Sequence, residues 1–139
     1  MTICFFEAVG PICLPYRFRN DNSMLDNRAV SVAGWGTTEF GGPVSSVLKM
    51  VTLNTISNSL CSFKMKNIDN NKICTFTTRR DTCQYDSGAN LCHFASRWYS
   101  VGLTSFGIGC ATDNPSVSTR VTSYISWIEQ RSGVRFCNK

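Results

Sequence analysis

Residues 81–90, DTCQYDSGAN, set a serine between an acid and a glycine, four residues after a cysteine. An unactivated serine hydroxyl is a poor nucleophile. It needs a base to take its proton, a group to orient that base, and donors for the oxyanion. Two acids stand close by, Asp81 six residues before Ser87 and Asp86 next to it. The chain's one histidine, His93, lies six residues beyond the serine. On these residues alone, Ser87 reads either as a nucleophile or as an ordinary turn serine.

Other chemistry is poorly represented. The eight cysteines are Cys4, Cys13, Cys61, Cys74, Cys83, Cys92, Cys110 and Cys137, and no two are three residues apart. Without a CxxC, and with one histidine, neither a zinc site nor a thioredoxin motif is indicated. No metal and no cofactor is expected. Disulfides in an oxidising compartment are the better account of the cysteines, which implies a secreted, extracellular protein. The first residues, MTICFFEAVGPICLP, have no basic start and carry Glu7, Gly10 and Pro11, so they are not expected to act as a signal peptide. Something upstream is therefore expected to be missing. The net charge is +5, but the basic residues are scattered; the tightest groups are Arg79-Arg80 and Lys64/Lys66. No basic stripe interleaves with aromatics, so no nucleic-acid partner is expected. No segment approaches the ~20 apolar residues of a membrane span.

The elements that must position Ser87 can be traced in order. A length of 139 residues and a hydrophobic share of 42% allow one domain with a real core. Residues 16–28, YRFRNDNSMLDNR, read as a polar surface loop. AVSVAGWG predicts a strand running into a turn, and TTEFGGP a Gly/Pro loop. In SVLKMVTLNTI, Val51 and Leu53 alternate with Met50 and Thr52, as in a strand. SNSLCSF predicts a short helix opening at Ser57 or Asn58, and KICTF and RWYSVGLTSFG are β-rich. In VTSYISWIEQR the period becomes helical: Val121, Ile125 and Ile128 form an apolar stripe beside Tyr124, Trp127 and Arg131. Thr122 or Ser123 is the expected N-cap, Gly133 the expected stop, and Trp127/Ile128 the expected packing face. The chain thus reads as mostly β, with many short strands and one amphipathic C-terminal helix.

Taken in this order, the motifs resemble the C-terminal half of a trypsin-like serine protease of the chymotrypsin fold. PICLP resembles the segment that crosses between that family's two β-barrels. AGWGTTEFGGPVSSVLKMV is similar to the family's Gly-Trp-Gly strand and the loop and strand after it. ICTFTTRRDTCQYDSGAN resembles the nucleophile region, and VGLTSFGIGCATDNPSVSTRVTSYISWI the pocket wall, last strand and C-terminal helix. The flavour is that of arthropod secreted and venom proteases. The resemblance implies an all-β fold: a C-terminal antiparallel β-barrel plus a C-terminal α-helix. It makes residues 1–139 a partial domain whose N-terminal barrel is absent.

It also implies roles. Ser87 becomes the nucleophile, and the backbone N–H groups of Tyr85 and Ser87 the oxyanion hole. Asp86 becomes the acid that binds a new N-terminal amine after activation. Asp81 becomes the acid at the base of the specificity pocket, favouring Arg or Lys in a polypeptide substrate. Ser105, Phe106 and Gly107 resemble the strand that pairs with substrate backbone, and Ser116 occupies a pocket-wall position. Cys61 is implied to pair with Cys74, and Cys83 with Cys110; Cys4, Cys13, Cys92 and Cys137 have no assigned partners.

Departures from the family pattern sharpen the picture. The family's histidine and aspartate lie upstream of the PICLP crossing, and nothing like them is present here. His93 falls on a predicted strand leading some 20 Å away from Ser87, too far to act as its base. Tyr85 stands where the family has glycine, Ala89-Asn90 where it has Gly-Pro, and Ser116 where trypsins keep glycine. The expected function is serine-type endopeptidase in a truncated chain that is inactive alone, partnered by the missing N-terminal barrel. The alternative is a non-catalytic protease homologue acting as a binding or regulatory module.

Overall fold

The computed structural model of the protein describes residues 9–37, 41–78, 86–107, 112–134 and 136. Six strands close into an antiparallel barrel in the order β1-β2-β3-β6-β5-β4. They are β1 (Ala29–Gly34), β2 (Lys49–Ile56), β3 (Lys72–Thr75), β4 (Asn90–Phe94), β5 (Trp98–Phe106) and β6 (Ser116–Arg120). A short helix, α1 (Asn58–Ser62), joins β2 to β3, and α2 (Ile125–Ser132) follows the barrel. The expected all-β barrel with a C-terminal helix is what forms.

Alternation builds the barrel interior. Val30 and Val32 on β1 point inward, at 1% and 2% exposure, and face Leu53 of β2, Ile73 of β3, Leu91 of β4 and Val101 of β5. The β1–β2 ladder runs from Ala29↔Asn54 to Gly34↔Lys49, and one pair, Ser31↔Cys92, closes the barrel between β1 and β4. Closure matters because an open edge would leave N–H and C=O groups unpaired.

The segment at 16–28 is not only a surface loop. It forms two 3₁₀ turns, Tyr16–Phe18 and Asn22–Leu25, and drives Phe18 and Leu25 into the core at 4% and 0% exposure. Its polar residues outnumber its apolar ones, which hides those two plugs from a periodicity reading. Phe18 meets Tyr99 edge-on, with ring centroids 5.5 Å apart. Thr55 at the end of β2 donates to the Leu25 carbonyl and accepts from the Arg28 amide, tying the loop to the sheet.

A second small core surrounds a disulfide. Cys61 on α1 and Cys74 on β3 are bridged and fully buried with Met65 and Val117. The Ser57 side chain caps α1 by accepting from the Leu60 amide at 3.2 Å. At the other end of the chain, α2 stops where expected: Gly133 takes a left-handed φ of 67° and donates to the Glu129 carbonyl. Its start differs. Residues Val121–Tyr124 form a 3₁₀ turn first, so neither Thr122 nor Ser123 caps the helix; Ser123 Oγ donates instead to the Asn70 carbonyl. Its packing face differs only at the tryptophan. The Val121/Ile125/Ile128 stripe packs as expected, with Val121 and Ile125 buried and Ile128 half-buried, but Trp127 is 57% exposed and takes no part in the packing face. No helix among the described residues is long and apolar enough to cross a membrane.

Candidate active site

Ser87 sits exposed on a turn that leads into β4. Hydrogen bonds hold that turn from both sides. The Ala89 amide donates to the Asp86 carbonyl at 2.9 Å, and the Gly88 amide donates to the Thr104 carbonyl at 2.8 Å. The Thr104 amide donates back to the Ala89 carbonyl. Gly88 takes a φ of 84°, a conformation that favours glycine, and it lets the chain reverse immediately after the serine. The serine is thereby fixed beside Thr104 and Ser105 of β5.

The neighbouring acid is held more closely still. Asp86 Oδ1 accepts the Gly36 amide at 2.9 Å. A Cβ on either Gly34 or Gly36 would lie closer than 3.0 Å to the Asp86 carboxyl. The Gly-Trp-Gly sequence thus forms a cradle for a carboxylate. Two residues without side chains let the acid approach the backbone, and Trp35 between them turns outward, 59% exposed. An open cleft of about 540 Å³ runs from this seat to Ser87, lined by Trp35, Val44, Ser45, Asp86, Ser87 and Ala89.

On the facing strands, Ser105, Phe106 and Gly107 are exposed along the end of β5. Ser116, the first residue of β6, is 4% exposed and lies against them. A Cβ on Gly107 would stand 2.8 Å from Ser116 Oγ. The Ser116 hydroxymethyl therefore fills the space between the two strand ends.

His93 is brought nowhere near this constellation. It pairs opposite Tyr99, whereas the serine's turn bonds to Thr104, five residues or roughly 16 Å further along β5. Its Nδ1 lies 2.8 Å from the Ala29 carbonyl, and its ring meets Phe18 edge-on at 5.7 Å. It is a packed strand histidine. Asp81, Tyr85 and the implied Cys83–Cys110 bridge lie outside the described residues, as do Cys4 and Cys137. Cys61–Cys74 is formed as expected, and Cys13 and Cys92 carry free thiols. Cys13 packs against the barrel core. Burial raises the Cys92 thiol above its ordinary range.

Comparison with known proteins agrees with this arrangement. The family model described as Trypsin matches residues 2–128. The chain belongs to the trypsin family. It is 35% identical to a venom serine protease of Polistes dominula, over 93% of this chain and 48% of the relative. It is 34% identical to venom serine protease 34 of Apis mellifera, over 97% of this chain and 34% of the relative. It is 38% identical to the proclotting enzyme of Tachypleus tridentatus, over 93% of this chain and 36% of the relative. This trypsin-family chain thus spans about half or less of the length of these relatives.

Within the family frame, the structure adds what residue spacing did not assign. Gly34 and Gly36 act on Asp86, and the signal for them was present as two glycines flanking one large aromatic. Asn90 is a second addition. Its Oδ1 accepts the Ser100 hydroxyl at 2.7 Å and pins the start of β4, just beyond the serine's turn. Nothing in the local sequence pattern announces that contact, because its partner is ten residues away on the next strand.

Proposed function

We propose that this chain is the nucleophile-bearing barrel of a secreted, trypsin-like serine endopeptidase and has no activity by itself. In this reading Ser87 attacks the scissile carbonyl of a polypeptide and forms an acyl-enzyme. The Ser87 and Tyr85 amides donate to the oxyanion, and Asp86 in its glycine cradle fixes the loop that carries them. Asp81 stands at the base of the specificity pocket and favours Arg or Lys. Ser105, Phe106 and Gly107 pair with substrate backbone, and Ser116 narrows the way to Asp81.

The observation that carries the reading is the pairing of an exposed Ser87 with the cradled Asp86. The chain's own histidine is packed elsewhere, so the base and its orienting acid come from a second unit, an N-terminal barrel. The surface suits one. Trp35 and Val44 line the cleft and are more than half exposed, as are Val47, Leu48 and Met50 further along the same segment, more apolar surface than single soluble units usually leave uncovered.

Ser87 in the isolated chain should not react with a fluorophosphonate probe above the level of the denatured protein. Joining the chain to the part of the Polistes dominula relative that it does not span should restore labelling, and Ser87→Ala should abolish it. Labelling of the isolated chain at Ser87 would show that a base is already in place. The second reading, a non-catalytic homologue acting as a binding module, is favoured by Ser116 closing against Gly107. It predicts that the joined protein folds, docks its two barrels and still does not label.

A further inference from the structure

The strand that holds the serine's turn is irregular along both edges. Between β4 and β5, Leu91 stands opposite Gly102 but Cys92 stands opposite Ser100, so Val101 has no counterpart. Between β5 and β6 the register shifts again from Thr104 to Phe106, which leaves Ser105 as the extra residue. Each is a β-bulge, and a bulge bends its strand and re-aims the side chains around it. Thr104 lies between the two, with its carbonyl bonded to Gly88 and its amide to Ala89. The place of Ser87 against β5 therefore depends on where the first bulge sits. A slip of one residue would shift the turn by roughly 3.3 Å and send the paired side chains to the other face.

The main-chain ladder is broken at the extra residue, so it does not hold the bulge by itself. One side-chain bond spans it. Asn90 pairs with Leu103 on the turn side of the bulge, yet its Oδ1 accepts the Ser100 hydroxyl on the far side, at 2.7 Å. The bond crosses Val101 and ties the two stretches of regular pairing together. Its anchor is firm. Ser100 is 9% exposed, and its amide donates to the Cys13 carbonyl. The Cys13 amide donates in turn to the Trp98 carbonyl, so the crossing segment braces β5 at this point. Val101 itself is fully buried in the core. Asn90 stands where the family pattern has proline, which offers no side-chain acceptor, so the bond is a feature of this chain.

We propose that Asn90 and Ser100 are positioning residues for Ser87. Their bond fixes the β4–β5 bulge, and through Thr104 it fixes where the serine stands against the exposed end of β5. This rests on the reading of Ser87 as the nucleophile. Neither side chain takes part in the chemistry; both act through the turn.

The test has two arms. In the full chain, the amide NMR shifts of Gly88 and Thr104 report the bonds between the turn and β5 without any need for activity. Asn90→Ala and Ser100→Ala should each move both signals, while those of Val30 and Leu53 stay in place. Ser100→Ala removes only a hydroxyl and serves where Asn90→Ala does not fold. Asn90→Asp keeps an acceptor and should retain the wild-type pattern. The second arm is fluorophosphonate labelling of Ser87 in the joined protein. Either alanine variant should label about tenfold more slowly or worse, since misplacement by about 1 Å can cost about 10²-fold. The loss should fall on the maximal rate and not on probe affinity. Asn90→Ala/Ser100→Ala should be no slower than the slower single variant, as one shared bond requires. Unmoved Gly88 and Thr104 signals in the alanine variants would overturn the clamp. Moved signals with an unchanged labelling rate would overturn its positioning of Ser87, and so would a loss in Asn90→Asp equal to that in Asn90→Ala. If the unsubstituted joined protein does not label, the nucleophile reading fails, and the shifts in the full chain still decide whether the clamp exists.

Discussion

Replacing Gly36 with alanine tests whether the Gly-Trp-Gly turn exists to seat the Asp86 carboxylate. Neither Gly34 nor Gly36 has a left-handed φ, so alanine is compatible with the backbone at both positions. What it meets is the acid: the added Cβ would lie within 3.0 Å of the carboxyl carbon and both its oxygens. The carboxylate must move and give up the 2.9 Å bond from the Gly36 amide. A hydrogen bond to a charged group contributes about 1.5–3 kcal/mol. Reduced freedom of the unfolded chain returns about 0.4–1 kcal/mol for Gly→Ala. The net expected loss is therefore about 1.5 kcal/mol, read as a lower urea midpoint at constant m-value. The decisive measurement is the double-mutant cycle. In an Asp86→Ala background the clash is gone, and Gly36→Ala should be neutral or slightly stabilising. The coupling should then be about 2 kcal/mol. Coupling below about 0.5 kcal/mol would mean that the glycine serves some other neighbour, and the cradle would be wrong.

Other expectations rest on single contacts. Cys61→Ala/Cys74→Ala opens a bridge with a sequence separation of 13 and should cost ~3 kcal/mol, lowering Tm by roughly 10 °C in calorimetry; a shift under about 3 °C would leave the bridge without its role in the small core. If Ser116 narrows the pocket, Ser116→Gly should improve benzamidine affinity by about tenfold or more, since a side chain forced into filled space costs about 1–3 kcal/mol; unchanged affinity in calorimetric titration would clear Ser116 of that part. Burial raises the Cys92 thiol, so the folded state favours its protonated form. That contribution is present below the ordinary thiol value of 9.0 and fades as pH rises through the higher folded value, so denaturation midpoints of the wild type should fall above about pH 9 more than those of Cys92→Ala.

The strands were legible where alternation met a closed barrel. AVSVAG buries Val30 and Val32, and KMVTLNTI buries Leu53 and Thr55, as period-two reading requires. The short helix at Asn58 was legible because its cap is local, a serine accepting from an amide three residues on. The C-terminal helix was legible in its stripe, since Val121 and Ile125 face inward, and in its Gly133 stop, but not in its start, where a 3₁₀ turn over Val121–Tyr124 precedes it, nor in the exposure of Trp127. Phe18 and Leu25 were hidden. Each is a single apolar residue in a polar run, placed by distant partners such as Tyr99 and Thr55 rather than by any repeat. At the site, Ser87 and Asp86 came from residue type and resemblance. The cradle needed the fold, because Gly36 and Asp86 are fifty residues apart and meet only when β1 and β4 close the barrel.

That closure separates two requirements that a nucleophilic serine normally meets together. One is position: the turn must hold the hydroxyl at the rim of a cleft, with the acid beside it tied to backbone amides. This barrel provides that internally, through Gly36, Thr104 and the Gly88 reversal. The other is proton removal, which needs an imidazole within about 3 Å of the hydroxyl. Here the imidazole is committed to the Ala29 carbonyl and the Phe18 ring. Moving His93 to Ser87 would require breaking the β4–β5 ladder, so the native barrel keeps its histidine away from the serine. In the proposed reading, the base for Ser87 comes from a second unit docked over the exposed Trp35 and Val44 beside the cleft. If that reading holds, burial of these side chains and delivery of the base occur together, and stability and activity should be gained in one docking step.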